Sequence, residues 1–263
     1  MATAATFNAS IERWADEQST PWGKLKYALV QANLHNHLPS APTSILDAGG
    51  GNGFDSLSFA VDGYEVALVD YAQEMLRDAE HKAQEAHVQD RVHTYLADLT
   101  QLSTLFADES FDVIFCHNVL QHVDNASALL AALTAVLKPG GLLSLISVNR
   151  YSIPYHAAFM RNSLSAAYEK LDERTEIAAL FGTLTHEYSA EEAAEMLTKQ
   201  GYDLQAHYGI RCMCDYWGDN TKKSDPEIFA QIEQLEFALA SRHPYKHLAR
   251  YFHLIARKQG TPE

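Results

Sequence analysis

The chain is poor in cysteine, in basic residues and in long apolar runs, and each shortage excludes something. Only Cys116, Cys212 and Cys214 occur in 263 residues. So odd and sparse a set does not make a disulfide scaffold and suits a reducing compartment. Lys and Arg number 20 against 34 Asp and Glu, a formal charge of −14. An extended nucleic-acid or anionic-membrane surface needs clustered Lys and Arg and is disfavoured, although a local basic pocket is not. No stretch approaches the roughly 18 apolar residues that span a bilayer. The first twenty residues carry Glu12, Asp16 and Glu17 and no long apolar run, so no secretory signal and a cytoplasmic location are expected. Repeats, low-complexity tracts and Pro/Ser-rich linkers are absent as well. What is there, 47% hydrophobic and 21% charged residues, describes a globular protein with a sizeable core. At about 150 residues per domain, a single domain over 1–263 is expected.

Between 44 and 148 short apolar runs alternate with amphipathic stretches. Strands are expected at Ser44–Ala48, Glu65–Asp70, 92–97, Phe111–His117 and 142–148, and helices at 53–62, 72–86 and 125–137. That alternation implies right-handed βαβ crossovers, hence an α/β fold with a parallel sheet and helices on both faces. The run Phe111–His117 is apolar on both parities, as a central strand covered on two sides should be. Lys138-Pro139-Gly140-Gly141 ends the helix before the next strand. An N-terminal helical cap is expected over 7–37, broken around Thr20-Pro21-Trp22-Gly23-Lys24. Region 149–188 interrupts the rhythm with helical stretches at 154–164 and 166–179 and no strand, and reads as a helical insertion or lid. A helix at 189–200, a strand at 202–212, a helix at 226–241 and a final strand at 250–257 complete the pattern.

The most informative segment is Ser44-Ile-Leu-Asp-Ala-Gly-Gly-Gly-Asn-Gly53. A buried strand ends at Asp47, glycines follow at once, and a helix begins. Without Cβ atoms the backbone lets a ligand lie against it, and a helix start offers unpaired N–H groups. The plain alternative is a turn that only permits tight strand–helix packing. A dinucleotide fingerprint read from Gly49 needs Gly or Ala at 54, where Phe54 stands, and no Gly-Lys-Ser/Thr follows as in a phosphate loop.

The spacing Asp47-x-Gly49-x-Gly51-x-Gly53 instead resembles the class I S-adenosylmethionine-dependent methyltransferases. That resemblance implies a Rossmann-like seven-stranded, mostly parallel sheet and S-adenosyl-L-methionine as cofactor. It implies cofactor contacts from Asp47, Gly49, Gly50, Gly51 and Gly53, and from Asp70 on both ribose hydroxyls. A carboxylate suits a cis-diol because it accepts two hydrogen bonds. Tyr71 and Met75 are expected near the adenine or in helix packing, Asp98 and Leu99 at the adenine amino group, and the segment Phe115–His122, with His117 and Asn118, at the methionine and methyl end. Leu137-Lys-Pro-Gly-Gly141 matches the family's turn before its fifth strand.

Over roughly 20–258 the chain also resembles the bacterial tRNA methyltransferases that esterify 5-carboxymethoxyuridine. The matching segments are Leu46-Asp-Ala-Gly-Gly-Gly51, Gly140-Gly-x-Leu-Ser-Leu145, Gly209-Ile-Arg211, Asp215-Tyr216 and Ala249-Arg-Tyr-x-His253-x-x-Ala-Arg257-Lys258. The cofactor-contacting Arg of that group falls on Lys26, a point charge in place of a bidentate fork. The basic run of that group's insertion is missing. From 169 to 203 this chain has nine acids and three bases, a segment charge of −6. Each lost base removes a counterion-releasing phosphate contact. The favoured acceptor is therefore a small molecule methylated at oxygen, a carboxylate included. Carboxyl methylation of tRNA is the alternative, and a cofactor-binding but idle subunit is the third reading.

Tyr208, Arg211 and Tyr216 are the candidate substrate contacts, with Arg211 suited to a carboxylate; a structural ion pair explains it equally well. His117 is the candidate general base, although alignment alone often suffices for methyl transfer and the ring serves as well as a pocket wall. Trp22 and Lys26 are read as a flap over the cofactor. Cys212-x-Cys214 would point its thiols to opposite faces of a strand, and the paired histidines lack ligand partners at useful spacing, so no metal is expected. The Asp/Asn-Pro-Pro-Tyr/Phe signature of base amino-group methylation is absent after Phe111–His117.

Overall fold

Each apolar run between 44 and 148 finds a partner strand, and the helices between them cover two faces. The computed structural model describes residues 3–178 and 182–260. Three N-terminal helices, α1 (Ala4–Asn8), α2 (Ile11–Ser19) and α3 (Pro21–His35), precede β1 (Ser44–Ala48). There follow α4 (Leu57–Val61), β2 (Glu65–Asp70), α5 (Gln73–Glu85), β3 (Val92–Leu96), α6 (Leu102–Leu105) and β4 (Phe111–His117). Next are α7 (Ala126–Val136), β5 (Leu137–Val148), α8 (Ser152–Phe159), α9 (Leu164–Glu169), β6 (Thr175–Ile177) and β7 (Leu184–His186). The last elements are α10 (Ala190–Lys199), β8 (Tyr202–Ile210), α11 (Asn220–Lys223), α12 (Pro226–Leu239) and β9 (Tyr251–Lys258).

Seven strands make one sheet in the order β3-β2-β1-β4-β5-β9-β8. The five from β1 to β5 are mutually parallel, and β9 runs antiparallel to both β5 and β8. This is the Rossmann-like, mostly parallel sheet that the alternating pattern implies. Strand parity sorts the core into two layers. Ile45, Val113 and Phe115 pack with Leu25 and Leu29 of α3 on one face. Their neighbours Leu46, Ile114 and Cys116 pack with Leu130 and Leu133 of α7 on the other. The strand order reverses between β1 and β4, and a crevice opens at that point beyond the carboxyl ends of the strands.

Local chemistry sets the boundaries. Thr20 caps α3 by accepting from the Gly23 N–H at 3.0 Å, with Pro21 in the first turn. A Cβ on Gly23 would sit 2.1 Å from the Glu17 carbonyl oxygen, so only glycine lets α2 fold back so tightly. The helix expected at 53–62 is shorter, since Gly51 and Gly53 take φ of +55° and +71°, outside the right-handed helical region. The fifth strand starts early, at Leu137, and a register shift opposite Phe111 and Val113 absorbs the turn at Gly140.

The helical insertion needs correction. Its helices are α8 and α9, but β6 and β7 pair antiparallel where helix is expected up to 179. Ala179 itself lies outside the described residues, as do the ends of the expected domain at 1–2 and 261–263. Thr175, Ile177 and Thr185 are β-branched, and the Thr185 hydroxyl donates to the Glu176 carbonyl at 3.0 Å. Helical periodicity carries no information about a partner strand ten residues away.

Beyond β8 the chain turns sharply, with Arg211 at φ +60°. Glu236 of α12 is fully buried there. Its carboxylate accepts from the backbone N–H groups of Cys212 (2.6 Å), Met213 (2.8 Å) and Cys214 (2.6 Å). Three successive N–H groups closing on one anion form a nest that fixes the turn and hence the direction of Arg211. Glu236→Ala leaves these buried donors unpaired. It is expected to lower unfolding free energy by about 3 kcal/mol, read from the denaturation midpoint, with Glu236→Gln milder.

Candidate active site

The glycine loop between β1 and α4 is shaped by close backbone approaches. A Cβ on Gly49 would meet Val119 Cγ2 at 2.5 Å, and one on Gly50 would meet the Asp47 carboxylate at 2.4 Å. Gly51, at φ +55°, has nothing within 4 Å on its Cβ side and opens onto the crevice. Asp70 at the end of β2 accepts from the Gly51 N–H at 2.9 Å and from the Ala72 N–H at 2.8 Å. Burial raises its carboxyl above the ordinary range, against the pull of those backbone bonds.

The crevice is a cavity of about 540 Å³, within the range of small-molecule sites. Lys26, Asp47, Gly49, Gly50, Gly51, Asp70, Met75, His117 and Arg211 line it. Six other residues singled out in the sequence do not. Gly53 faces Leu57 and Leu68 and serves strand–helix packing. Tyr71 is partly exposed and meets the edge of Phe7. Asp98 caps a turn of helix, accepting from Thr100 N (2.8 Å) and Thr100 Oγ1 (2.7 Å), and Leu99 packs on the α7 side of the core. The Tyr208 hydroxyl bonds His37 Nε2 at 2.8 Å, and the Tyr216 hydroxyl donates to the Leu248 carbonyl.

Asp47 is fully buried, and its Oδ2 has no hydrogen-bond partner among the described residues. Burial pushes its carboxyl up to about 7, with Asp55 and Asp70 adding to the effect. The Lys26 ammonium lies 5.1 Å from the ring centres of Tyr27 and Tyr251 and 5.7 Å from that of Trp14. An aromatic cage of this kind holds a cation without a carboxylate partner. Gln18 and Asn52 exchange amide hydrogen bonds at 3.2 and 3.0 Å, so α2 is tied directly onto the glycine loop. Asn118 takes φ +59° just past β4, its Oδ1 buried and without a hydrogen-bond partner among the described residues.

At the far end of the cavity Arg211 donates to Asp215 at 2.8 Å and to the Trp22 carbonyl at 3.3 Å. Arg250 shares the same Asp215 at 3.8 Å. His156 and Glu187 line this end too. Burial brings the imidazole down to about 4 and raises the carboxyl. Asp55, Gln18, Asn52 and Glu187 go unnoticed in the sequence as site residues. Asp55 carries a faint signal, an acid two residues past Gly53; Glu187 sits behind an unforeseen hairpin.

These residues suit S-adenosylmethionine. A carboxylate for the ribose diol, a caged cation for a carboxylate, open glycine backbone and, for a cationic group, acid oxygens without hydrogen-bond partners among the described residues all face one cavity. Fold and site together define a class I methyltransferase. The family model for "Methyltransferase domain" matches residues 46–145. A tRNA 5-carboxymethoxyuridine methyltransferase of Escherichia coli K12 is 28% identical over 251 residues, 93% of this chain and 92% of its own. A ubiquinone biosynthesis O-methyltransferase of Xanthomonas axonopodis pv. citri is 32% identical over 211 residues, covering 78% of this chain and 81% of its own. Among solved structures, a methyltransferase from Thermotoga maritima, described as a possible histamine N-methyltransferase, superposes with a TM-score of 0.66. It is 16% identical, and the match covers 98% of this chain and all of that one. The chain belongs to the S-adenosylmethionine-dependent methyltransferases, and S-adenosyl-L-methionine is its cofactor. Among the described residues no helix is long and apolar enough to cross a membrane, and no cluster of His, Cys, Asp and Glu is arranged to hold a metal.

Two measurements follow. Asp70→Ala is expected to weaken S-adenosylmethionine binding at least about tenfold in calorimetry, because one charged acceptor serves both loop and ligand. Asp47 binds its proton more tightly folded than unfolded, so stability falls as pH rises from about 4 to 7. Asp47→Asn should remove that slope in denaturation midpoints taken across the window.

Proposed function

We propose that the chain transfers a methyl group to an oxygen of a small, carboxylate-bearing acceptor held at the Arg211 end of the cavity. The observation that carries this reading is charge. Two guanidinium groups, Arg211 and Arg250, share the carboxylate of Asp215, with Glu17 farther from Arg211 at 3.9 Å, and Arg211 Nε is buried without an acceptor among the described residues. In a chain of net charge −14, that places two guanidiniums side by side at one end of the cavity. A carboxylate docks there with charge-assisted hydrogen bonds, which a neutral acceptor would forgo.

The bound cofactor supplies a methyl group on a sulfonium sulfur. With that group bound, an acceptor carboxylate oxygen held by this chain would take the methyl in line, the O–C bond forming as the C–S bond to a neutral thioether breaks. A carboxylate is already deprotonated, so no general base is required, and positioning supplies most of the acceleration. Arg211 and Arg250 orient the acceptor. Lys26 is assigned to the methionine carboxylate, Asp70 to the ribose, and Met75 to the adenine end. The helices within 7–37 serve as a cap and segment 149–188 as a lid, with Ile153, His156 and Met160 excluding water.

A second reading has its own support. The match to the tRNA enzyme extends over nearly the whole of both chains, further than the match to the ubiquinone enzyme. It too would place a carboxylate at Arg211, that of 5-carboxymethoxyuridine. Against it stands the −6 charge of 169–203, which would face a phosphate backbone.

Methyl-labelled cofactor incubated with a small-molecule extract and with total tRNA separates the readings. Alkali-labile label in the small-molecule fraction is the expected result. Label confined to tRNA favours the second reading, and none in either, with cofactor binding intact, means an idle subunit. Arg211→Lys should raise the acceptor KM about tenfold, since a point charge replaces a fork.

A further inference from the structure

A line of buried polar groups crosses the sheet behind the cofactor site. Asn33 Nδ2 of α3 lies 3.3 Å from His253 Nδ1 of β9. His253 Nε2 lies 2.8 Å from Ser144 Oγ of β5, and that oxygen lies 2.7 Å from His117 Nε2 of β4. His117 Nδ1 in turn lies 3.4 Å from Asp55 Oδ2, in the turn after the glycine loop. Phe115 stacks on the His117 ring at 5.1 Å and 11°, which fixes its plane. No sequence motif joins these five residues, since they come from five separate segments.

The direction of every bond follows from its first member. An amide nitrogen only donates, so His253 Nδ1 accepts. Full burial holds the His253 imidazole well below its ordinary range, hence neutral, with its one proton on Nε2. Ser144 therefore accepts from His253 and has a single proton to give, which goes to His117 Nε2. With Nε2 accepting, a neutral His117 carries its proton on Nδ1, which makes no hydrogen bond among the described residues and faces Asp55 Oδ2 at 3.4 Å. The other Asp55 oxygen, Oδ1, is buried without a partner among the described residues, and Asp55 lines the cavity.

We propose that Asn33, His253 and Ser144 act as a positioning relay that fixes the His117 proton on Nδ1 and so orients the Asp55 carboxylate toward the cationic methionine end of the cofactor. The ring's basic nitrogen is thus turned into the sheet, away from the acceptor, and His117 presents its N–H toward Asp55 instead of serving as a general base. This inference rests on the cofactor site alone and is independent of which acceptor is methylated.

The test is spectroscopic first. Long-range ¹H–¹⁵N spectra of the full chain labelled at histidine, with His117→Asn for assignment, should show His117 protonated at Nδ1 and bare at Nε2. His253 should show the reverse. Ser144→Ala, checked for folding by circular dichroism, should release the His117 tautomer and weaken S-adenosylmethionine binding about tenfold in calorimetry. A proton on His117 Nε2 in the unaltered chain, or unchanged cofactor affinity in Ser144→Ala, overturns the proposal. The first measurement needs no variant to fold.

Discussion

One carboxylate grips two pieces of backbone at the mouth of the sheet. Asp70 takes the N–H of Gly51 from the loop after β1 and the N–H of Ala72 from the loop after β2. The two loops are thereby locked to each other at the point where strand order reverses. The left-handed glycines, the opening beside Gly51 and the seat for a ribose all depend on that lock. The acid is therefore a structural clamp that also lines the cavity, so the loop geometry is set before a ligand arrives.

Charge is distributed by depth. The surface is acidic, and an acidic stretch covers 169–203, yet cations gather inside the cavity: Lys26 near one end, Arg211 and Arg250 at the other. Aromatic rings surround Lys26, and Arg211 and Arg250 share Asp215, with Glu17 3.9 Å from Arg211. Buried charges of this kind are costly unless something completes them. An anionic cofactor group and an anionic acceptor are what would complete these two.

Much of the fold was legible in the chain itself. The five strands from Ser44 to Val148 repeat with the period of βαβ units, and their parity sorts one residue to each face. Ile45 and Leu46 enter different core layers for that reason alone. The hairpin β6–β7 was not legible. Three-residue strands carry too few side chains to display a period, and their stability comes from a partner distant in sequence. The same limit explains the site. Asp70, Gly49, Gly50 and Gly51 line the cavity at the spacing the sequence shows, whereas Asp98 lies outside the cavity lining and uses Oδ1 to cap a turn, which spacing alone does not reveal.

The amino-acid sequence by itself determined the sheet, the class of ligand and the family, because these follow from local periodicity and from glycines adjacent to a strand end. Only the tertiary structure decided which polar groups meet. Asn33, His253, Ser144, His117 and Asp55 span more than two hundred positions, and no local rule links them. They act together because adjacent strands lie roughly 5 Å apart, close enough for side chains on one face to hydrogen-bond across the sheet. Contact across strands is a property of register, and register exists only once the chain has folded.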